Sequence, residues 1–248
     1  MRSGGLLAIV AGCGFQSPAG SLQPPVDADD ASTIPPDDGG PAGTGTTFCE
    51  PIPGVVACYD FEGNAFDSSG HDLDASTVDV NFVPGHLGSA MQFGATSSAG
   101  VGDSTFLDVR AITIEAWIDP SQLPAPGNQS DILDVDNQYA FFINPDGTLT
   151  CDLHGVGTFK STGAVPIDRW THVACAYGGI AAQIYIDGSH AGELVGSGTL
   201  GKGNNPMTIG ASSASGAHLI GLIDELRLMS VARAGADICA DAGQTSCQ

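Results

Sequence analysis

The sequence predicts an all-β protein, a two-sheet antiparallel sandwich, from three observations. Strings at 111–118, 170–177 and 221–230 alternate apolar and polar residues and are rich in Ile, Val, Tyr and Trp, as half-buried strands are. With 35 Gly and 15 Pro in 248 residues, the chain has too many turn residues for long helices. Strand patterns separated by turns also recur about every ten residues, which is typical of sandwiches.

The chain from residue 50 onward divides into short strands. The Asn-Pro-Asp-Gly sequence at 144–147 predicts a hairpin, because these residue types favour tight turns. A hydrophobic content of 42% is enough for one sizeable core. The predicted strands are 55–61, 79–83, 89–93, 106–109, 112–118, 139–143, 148–153, 170–177, 183–186, 207–209 and 222–229.

The sequence predicts a targeting signal at the N-terminus, followed by a linker. Residues 1–13 resemble a bacterial lipoprotein signal, with a positive start, a short apolar stretch and a small-residue site that ends in Cys13. The resemblance implies that Cys13 is lipidated and that the exported protein is membrane-anchored at the cell surface or in the periplasm. An ordinary secretion signal is the alternative. Residues 14–48 predict a disordered acidic Pro/Gly linker, so the folded domain spans 49–248.

The cysteines predict disulfides. The chain has seven cysteines, and apart from Cys13 six remain, an even number in an exported chain. Strand parity points both Cys151 and Cys175 into the core, so they are the predicted pair. The others pair among themselves, either locally or between the two ends of the domain: Cys49, Cys58, Cys239 and Cys247.

The charge excludes a nucleic-acid partner. The formal net charge is −21, and Lys and Arg together number only seven. Neutralising phosphates requires clustered basic side chains, which this chain lacks.

Five motifs carry a family resemblance. They are 85–93, 112–118, 170–174, 184–188 and 221–228. In order and spacing they resemble the LamG-like jelly-roll family within the concanavalin A-like lectin and glucanase fold. The resemblance implies a jelly roll of two curved sheets. It leaves function open, because this fold hosts lectins, adhesion modules, carbohydrate-binding modules and glycosidases.

Catalytic residues are not indicated, and the sequence predicts that the protein is not an enzyme. Glycosidases need paired carboxylates that flank the scissile bond. The best candidates, Asp134 and Asp136, lack the flanking glutamates that the fold's glucanases carry. Glu115 and His172 lie in motifs shared by non-catalytic members, and the central histidines lack metal-ligand spacing.

An Asp-rich turn predicts a structural calcium ion. The turn at 60–70 offers Asp60, Glu62 and Asp67, and the fold resembled here brings its first and last strands together, which places Asp224 nearby. Ca²⁺ takes six to eight oxygen ligands, which such a cluster could supply. The alternative is that these are ordinary turn carboxylates, with Asp224 paired to an arginine or a backbone amide.

Aromatic side chains for sugar stacking are few. Only 6% of the chain is aromatic, and Trp117 and Trp170 lie in fold-defining strings, where core packing is expected. Tyr139 and Phe141 are the candidates for a ligand surface. Side chains alternate along a strand, so either these two rings are exposed and Phe142 is buried, or Phe142 is exposed and these two are buried.

Two functional hypotheses follow. The first is a surface-anchored binding module for a glycan or an extracellular or envelope protein, with calcium as support. The second is a structural or assembly component of the cell envelope without a small ligand.

Overall fold

A computed structural model describes residues 48–50, 52–212 and 217–247. The lipoprotein signal, Cys13 and the predicted linker up to residue 47 lie outside these residues. The described part forms fifteen strands: β1 Val55–Tyr59, β2 Ser76–Val78, β3 Asn81–Pro84, β4 Ser89–Phe93, β5 Ser98–Val101, β6 Ile112–Pro120, β7 Ser130–Val135, β8 Tyr139–Ile143, β9 Thr148–Leu153, β10 Gly157–Ala164, β11 Thr171–Tyr177, β12 Ala181–Ile186, β13 Ser189–Val195, β14 Met207–Ile209 and β15 Gly221–Met229.

The strands form two antiparallel sheets. The eight-stranded sheet runs β13-β12-β11-β6-β15-β4-β3, and β1 pairs with β15 beside this path. The seven-stranded sheet runs β10-β9-β8-β7-β14-β5-β2. The predicted all-β sandwich is confirmed. One short helix, α1 Gly235–Asp241, follows the last strand, and no helix in the described part is long and apolar enough to cross a membrane.

Strand alternation builds one core between the sheets. On β6, Ile112, Ile114 and Ile118 face the core, while Glu115 and Trp117 occupy the intervening positions on the outer face. Helix α1 covers part of that outer face, where its Ile238 packs with residues of β11 and β12: Ala174, Ala176 and Tyr185. The eight-stranded sheet is therefore buried on its inner face and partly covered on its outer one.

Three disulfides join the cysteines that the structure describes. Cys151 of β9 is bonded to Cys175 of β11, so this bridge crosses the core from sheet to sheet, as strand parity predicts. The other two bridges are local and lie near the ends of the domain: Cys49–Cys58 and Cys239–Cys247. The local pairing is thus the one adopted.

The structure differs from the predicted strands in two respects. Residues 106–109 do not form a strand; instead Thr105–Leu107 is a 3-10 helix, because the Ser104 hydroxyl accepts a hydrogen bond from the Phe106 amide and caps it. Several strands were not predicted at all: β2, β5, β7, β10 and β13. β2, β5 and β10 are rich in Ser, Thr and Gly and have no strong apolar alternation.

Removing the inter-sheet disulfide should cost more stability than removing a terminal one. The Cys151–Cys175 bridge closes a loop with a sequence separation of 24. Loop-closure entropy then gives about 3.5 kcal/mol of stabilisation. Chemical denaturation of Cys151→Ala/Cys175→Ala should show this loss. Cys239→Ala/Cys247→Ala, which opens a loop with a separation of only 8, is the control. An equal or larger loss in the control would contradict the prediction.

Candidate functional site

A row of short side chains crosses the outer face of the seven-stranded sheet from edge to edge. Directly paired residues of neighbouring antiparallel strands lie on the same face. The strand register therefore places one residue from each strand in line: Ser76, Gly100, Thr208, Asp134, Ala140, Asp152 and Thr158. No side chain in the row is larger than Asp. We call this row, together with the cavity over β7, β8 and β9, the groove.

The row is exposed at its two ends and leaves space beside Gly100, next to the β2 edge, whereas Asp134 at its centre is buried. A Cβ atom added at Gly100 would meet no atom within 4 Å. Ser76 and Thr158, at the two ends of the row, are exposed. A cavity of about 330 Å³ lies over β7, β8 and β9, and the side chains around it include Gln129, Asp134, Phe142, Asp152, His154 and Ser212.

Carboxylates dominate the polar groups of the groove. The Gln129 amide donates to both oxygens of the buried Asp131, at 3.0 and 3.2 Å. Burial, and then the charge of Asp134, raise the pKa of the Asp131 carboxyl to about 7. The Ser212 hydroxyl donates to Asp134 at 3.2 Å. Of the residues in the seven strands of this sheet, only Lys160 is basic.

The two aromatic side chains predicted to form a ligand surface on β8 are buried. Tyr139 is 2% and Phe141 0% exposed, and both face the core. The Tyr139 hydroxyl donates to the carbonyl of Leu107 at 3.0 Å. Tyr139 and Phe141 therefore cannot stack on a ligand, which corrects the prediction. The reverse alternation holds, and Phe142 is the partly exposed ring that lines the cavity.

The two tryptophans are also not core residues, contrary to expectation. Trp117 and Trp170 are partly exposed, and Trp117 lies on the outer face of the eight-stranded sheet. The His86 ring stacks on Trp117 with centroids 3.6 Å apart. A second cleft, of about 380 Å³, adjoins this stack and is bordered by Phe48, Glu225, Arg227 and Arg233.

A buried ion-pair network lies beneath this second cleft. Glu115 accepts hydrogen bonds from Arg227 Nε at 2.8 Å and from Arg233 at 2.9 Å. Both arginines also contact Asp241 of α1. Burial, and then the charge of Arg233, lower the pKa of the fully buried His172 to about 3, so its ring is neutral. This network attaches α1 to the sheet, which is a structural role.

The side chains predicted to hold calcium are engaged in backbone turns. Asp67 accepts hydrogen bonds from the amides of Cys58, Ser69 and Leu73. The Asp224 and Glu62 carboxylates accept from the amides of the 85–89 turn, at 2.9 and 3.0 Å. Asp60 is partly buried, and its Oδ2 lies 3.5 Å from the Ser68 hydroxyl.

These carboxylates explain the glycines of the 85–89 turn. A Cβ atom at Gly85 would lie 2.6 Å from Asp224 Oδ2, and one at Gly88 would lie 1.9 Å from Glu62 Oε1. Among the described residues, no group of three His, Cys, Asp or Glu side chains is arranged to hold a metal ion. The structure thus does not assemble Asp60, Glu62, Asp67 and Asp224 into one ligand set, and calcium stays a prediction.

Glu225 is a buried carboxylate that sequence reasoning missed. It is almost fully buried, and Oε2 has no hydrogen-bond partner among the described residues. Its backbone is left-handed, with φ at 50°, where the register of β15 breaks between Asp224 and Arg227. The sequence carries a signal for this bulge, because the core residues Ile223 and Leu226 are three positions apart instead of two.

The fold defines the class as a jelly-roll sandwich of two antiparallel sheets. The sequence family described as the concanavalin A-like lectin/glucanases superfamily matches residues 93–239, and this protein belongs to that superfamily. A search of curated proteins found no match.

Several solved structures are similar. Domain 4 of AbnA, a GH43 extracellular arabinanase from Geobacillus stearothermophilus, was solved with arabinotriose; it has a TM-score of 0.63 at 20% identity, over 77% of this chain and 98% of that one. The binding domain of Paraclostridial Mosquitocidal Protein 1 has a TM-score of 0.66 at 15% identity, over 76% and 52%. The binding domain of Botulinum Neurotoxin DC in complex with SialylT has a TM-score of 0.56 at 12% identity, over 79% and 52%. This protein spans about half of those toxin domains, and these likenesses show the fold alone.

Glu225 should make stability fall as pH rises. Burial, followed by the charges of Asp224, Asp60 and Glu62, raises the pKa of Glu225 from 4.5 to about 8. The unfolded carboxyl releases its proton near the lower value and the folded one near the higher, so stability is lost across this interval. Melting temperatures of Glu225→Gln should depend less on pH between these limits than those of the wild type.

The control for this measurement is Glu193→Gln, because Glu193 is exposed on β13. It should keep the pH dependence of the wild type. If Glu225→Gln also keeps it, the buried carboxyl does not titrate as described.

Proposed function

We propose that this protein is an exported, non-catalytic binding module of the cell envelope and that its groove binds a glycan. The observation that carries the proposal is the edge-to-edge row of short side chains in the seven-stranded sheet. Over β7, β8 and β9 the row borders a cavity of about 330 Å³, which leaves room for a ligand on this part of the sheet. Its hydroxyl and carboxylate oxygens are suited to hydrogen bonds with sugar hydroxyls.

Besides hydrogen bonds, a sugar ring needs an apolar contact, and the cavity supplies one. Phe142 gives an apolar surface beside Asp152 and His154. A sugar presents both C–H groups and hydroxyls, so a partly exposed ring among polar groups matches both. The similar structures with arabinotriose and with SialylT are consistent with a glycan ligand.

Asp131 is excluded as one of the two carboxyl groups that a glycosidase in the groove would need. A retaining or inverting glycosidase needs two carboxyl groups that can reach opposite sides of the scissile bond. Asp131 is fully buried, and Gln129 occupies both of its oxygens. It therefore cannot approach a glycosidic oxygen. An assay for polysaccharide turnover should show none, and turnover that Asp134→Asn abolishes would contradict the proposal.

Blocking the groove should abolish glycan binding. Ala140→Trp places a large ring in the cavity, next to the central residue of the row, while Glu193→Trp places one on the exposed surface of the other sheet. On a glycan array with and without Ca²⁺, followed by calorimetry, Ala140→Trp should weaken binding at least about tenfold, equivalent to 1.4 kcal/mol. Glu193→Trp should bind like the wild type.

The outcome of the array separates the two hypotheses. If the wild type binds no glycan at any calcium concentration, the groove proposal fails. Partner proteins recovered by cross-linking in cells would then favour the envelope-assembly alternative.

We propose that a lipid on Cys13 anchors the protein to a membrane. The disulfides are consistent with an oxidising compartment outside the cytosol. Cells fed a palmitate analogue should label the wild type but not Cys13→Ala. If the wild type is unlabelled, the lipid anchor is wrong and an ordinary secretion signal takes its place.

A further inference from the structure

The second cleft contains a buried carboxyl group without a hydrogen-bond partner. Glu225 is only 4% exposed, and its side chain borders this cleft of about 380 Å³. Its Oε2 atom has no hydrogen-bond partner among the described residues. A buried acceptor without a donor destabilises a protein, so native structures seldom keep one without a reason. A ligand in the cleft could supply the missing donor.

A bulge in β15 directs Glu225 toward the cleft. Ile223 and Leu226 face the core, and the register of the strand breaks between them. In a regular strand, residue 225 would face the core as Ile223 does, because side chains alternate with a period of two. The left-handed backbone of Glu225, with φ at 50°, accompanies this break, and such a conformation is strained for a residue other than glycine. A strained segment thus presents a carboxyl group to the cleft.

The charges that border the second cleft favour a cation. Its two arginines are already ion-paired with Glu115 and Asp241, so their charges are balanced. Glu225 and the exposed Glu50 are the acidic residues of the lining outside these pairs. The chain as a whole carries a net charge of −21, which attracts cations to its surface.

Apolar side chains border the same cleft. Leu87 is 53% exposed, and Ile52 and Trp117 are partly exposed. The His86 ring covers one face of Trp117, so that face is closed to a ligand. Aliphatic groups pack against such a lining without a specific geometry, since the hydrophobic effect is not directional. A ligand with an aliphatic chain and a cationic end therefore matches both parts of the cleft.

We propose that the second cleft is a binding site for a primary alkylammonium group. The ammonium N–H groups donate to Oε2 of Glu225, and the carbon chain packs against Leu87 and Ile52. A quaternary ammonium has no N–H group and would leave Oε2 without a donor. The bound cation also offsets the burial and the neighbouring carboxylates that raise the pKa of Glu225.

Two sources carry this chemistry, free polyamines and the lysine side chain of a partner protein. The site lies on the eight-stranded sheet, whereas the groove lies on the seven-stranded one. The proposal therefore goes beyond the glycan function and does not depend on it.

Calcium is the competing occupant. Asp224 is one of the predicted calcium ligands, and its Oδ1 atom also has no hydrogen-bond partner among the described residues. The other predicted ligands, Asp60, Glu62 and Asp67, are not among the described residues that border the second cleft. Binding must therefore be measured both with a chelator and with added Ca²⁺.

Titrations followed by NMR, with the complete chain and a chelator, test the proposal. The probes are butylamine, butanol and butyltrimethylammonium, and the indole N–H signal of Trp117 reports on the cleft. Butylamine should bind at least about tenfold more tightly than either of the other two. Spermidine and Nα-acetyl-lysine methylamide then distinguish the sources. The tighter of these two identifies a free polyamine or a protein lysine, and binding of either supports the proposal.

Variants of the lining locate the site. Glu225→Gln keeps the shape of the side chain without its charge and should weaken butylamine binding at least about tenfold. Leu87→Ser shortens the apolar wall at an exposed position and should weaken binding by a smaller factor. Glu193→Gln is the matched control, because it removes a carboxylate from the exposed surface of β13 and should bind like the wild type. Thermal melting verifies that each variant folds.

Three results would overturn the proposal. The first is that butylamine binds no better than butanol or butyltrimethylammonium. The second is that Glu225→Gln binds butylamine like the wild type. The third is that Ca²⁺ binds the wild type but not Glu225→Gln while butylamine binds neither, in which case the unpaired carboxyl group belongs to a metal site. None of these results bears on glycan binding by the groove, which the array tests separately.

Discussion

The surface described above depends on the pairing register of the seven-stranded sheet. Side chains alternate between faces with a period of two, so a one-residue slip would exchange the faces of an entire strand. In β8, the observed register directs Tyr139 and Phe141 into the core and leaves Ala140 and Phe142 outside. The same pairing that buries the two rings therefore creates the floor of the groove.

The sequence predicts the fold well because the strongest strands are the apolar ones. The bounds of β4, β8, β9 and β14 match their predicted ranges. The site is harder to predict, because it is a relation between strands and not a motif within one. Alternation alone allows either face of β8 to be outside, and it is the pairing register with β7 and β9 that puts Tyr139 and Phe141 on the core face of the sheet.

The missed strands are part of the reason why the groove could not be predicted. β2, β5 and β10 contain mainly Ser, Gly, Thr and Ala, so they lack the apolar signal of a core strand. Those same small residues supply Ser76, Gly100 and Thr158 to the row. Conversely, the residues that look functional in the sequence, Glu115 and His172, are buried in the network that holds α1.

The edges of the two sheets have a further consequence, for self-association. Unpaired edge strands expose backbone groups that can recruit another copy of the same chain. Here β2 has only three residues, β3 ends at Pro84, and β10 has a register break after Lys160. Each of these features shortens or interrupts the template for a new strand. The large negative charge adds mutual repulsion between copies. The edges of the sandwich are in this way protected against edge-to-edge aggregation.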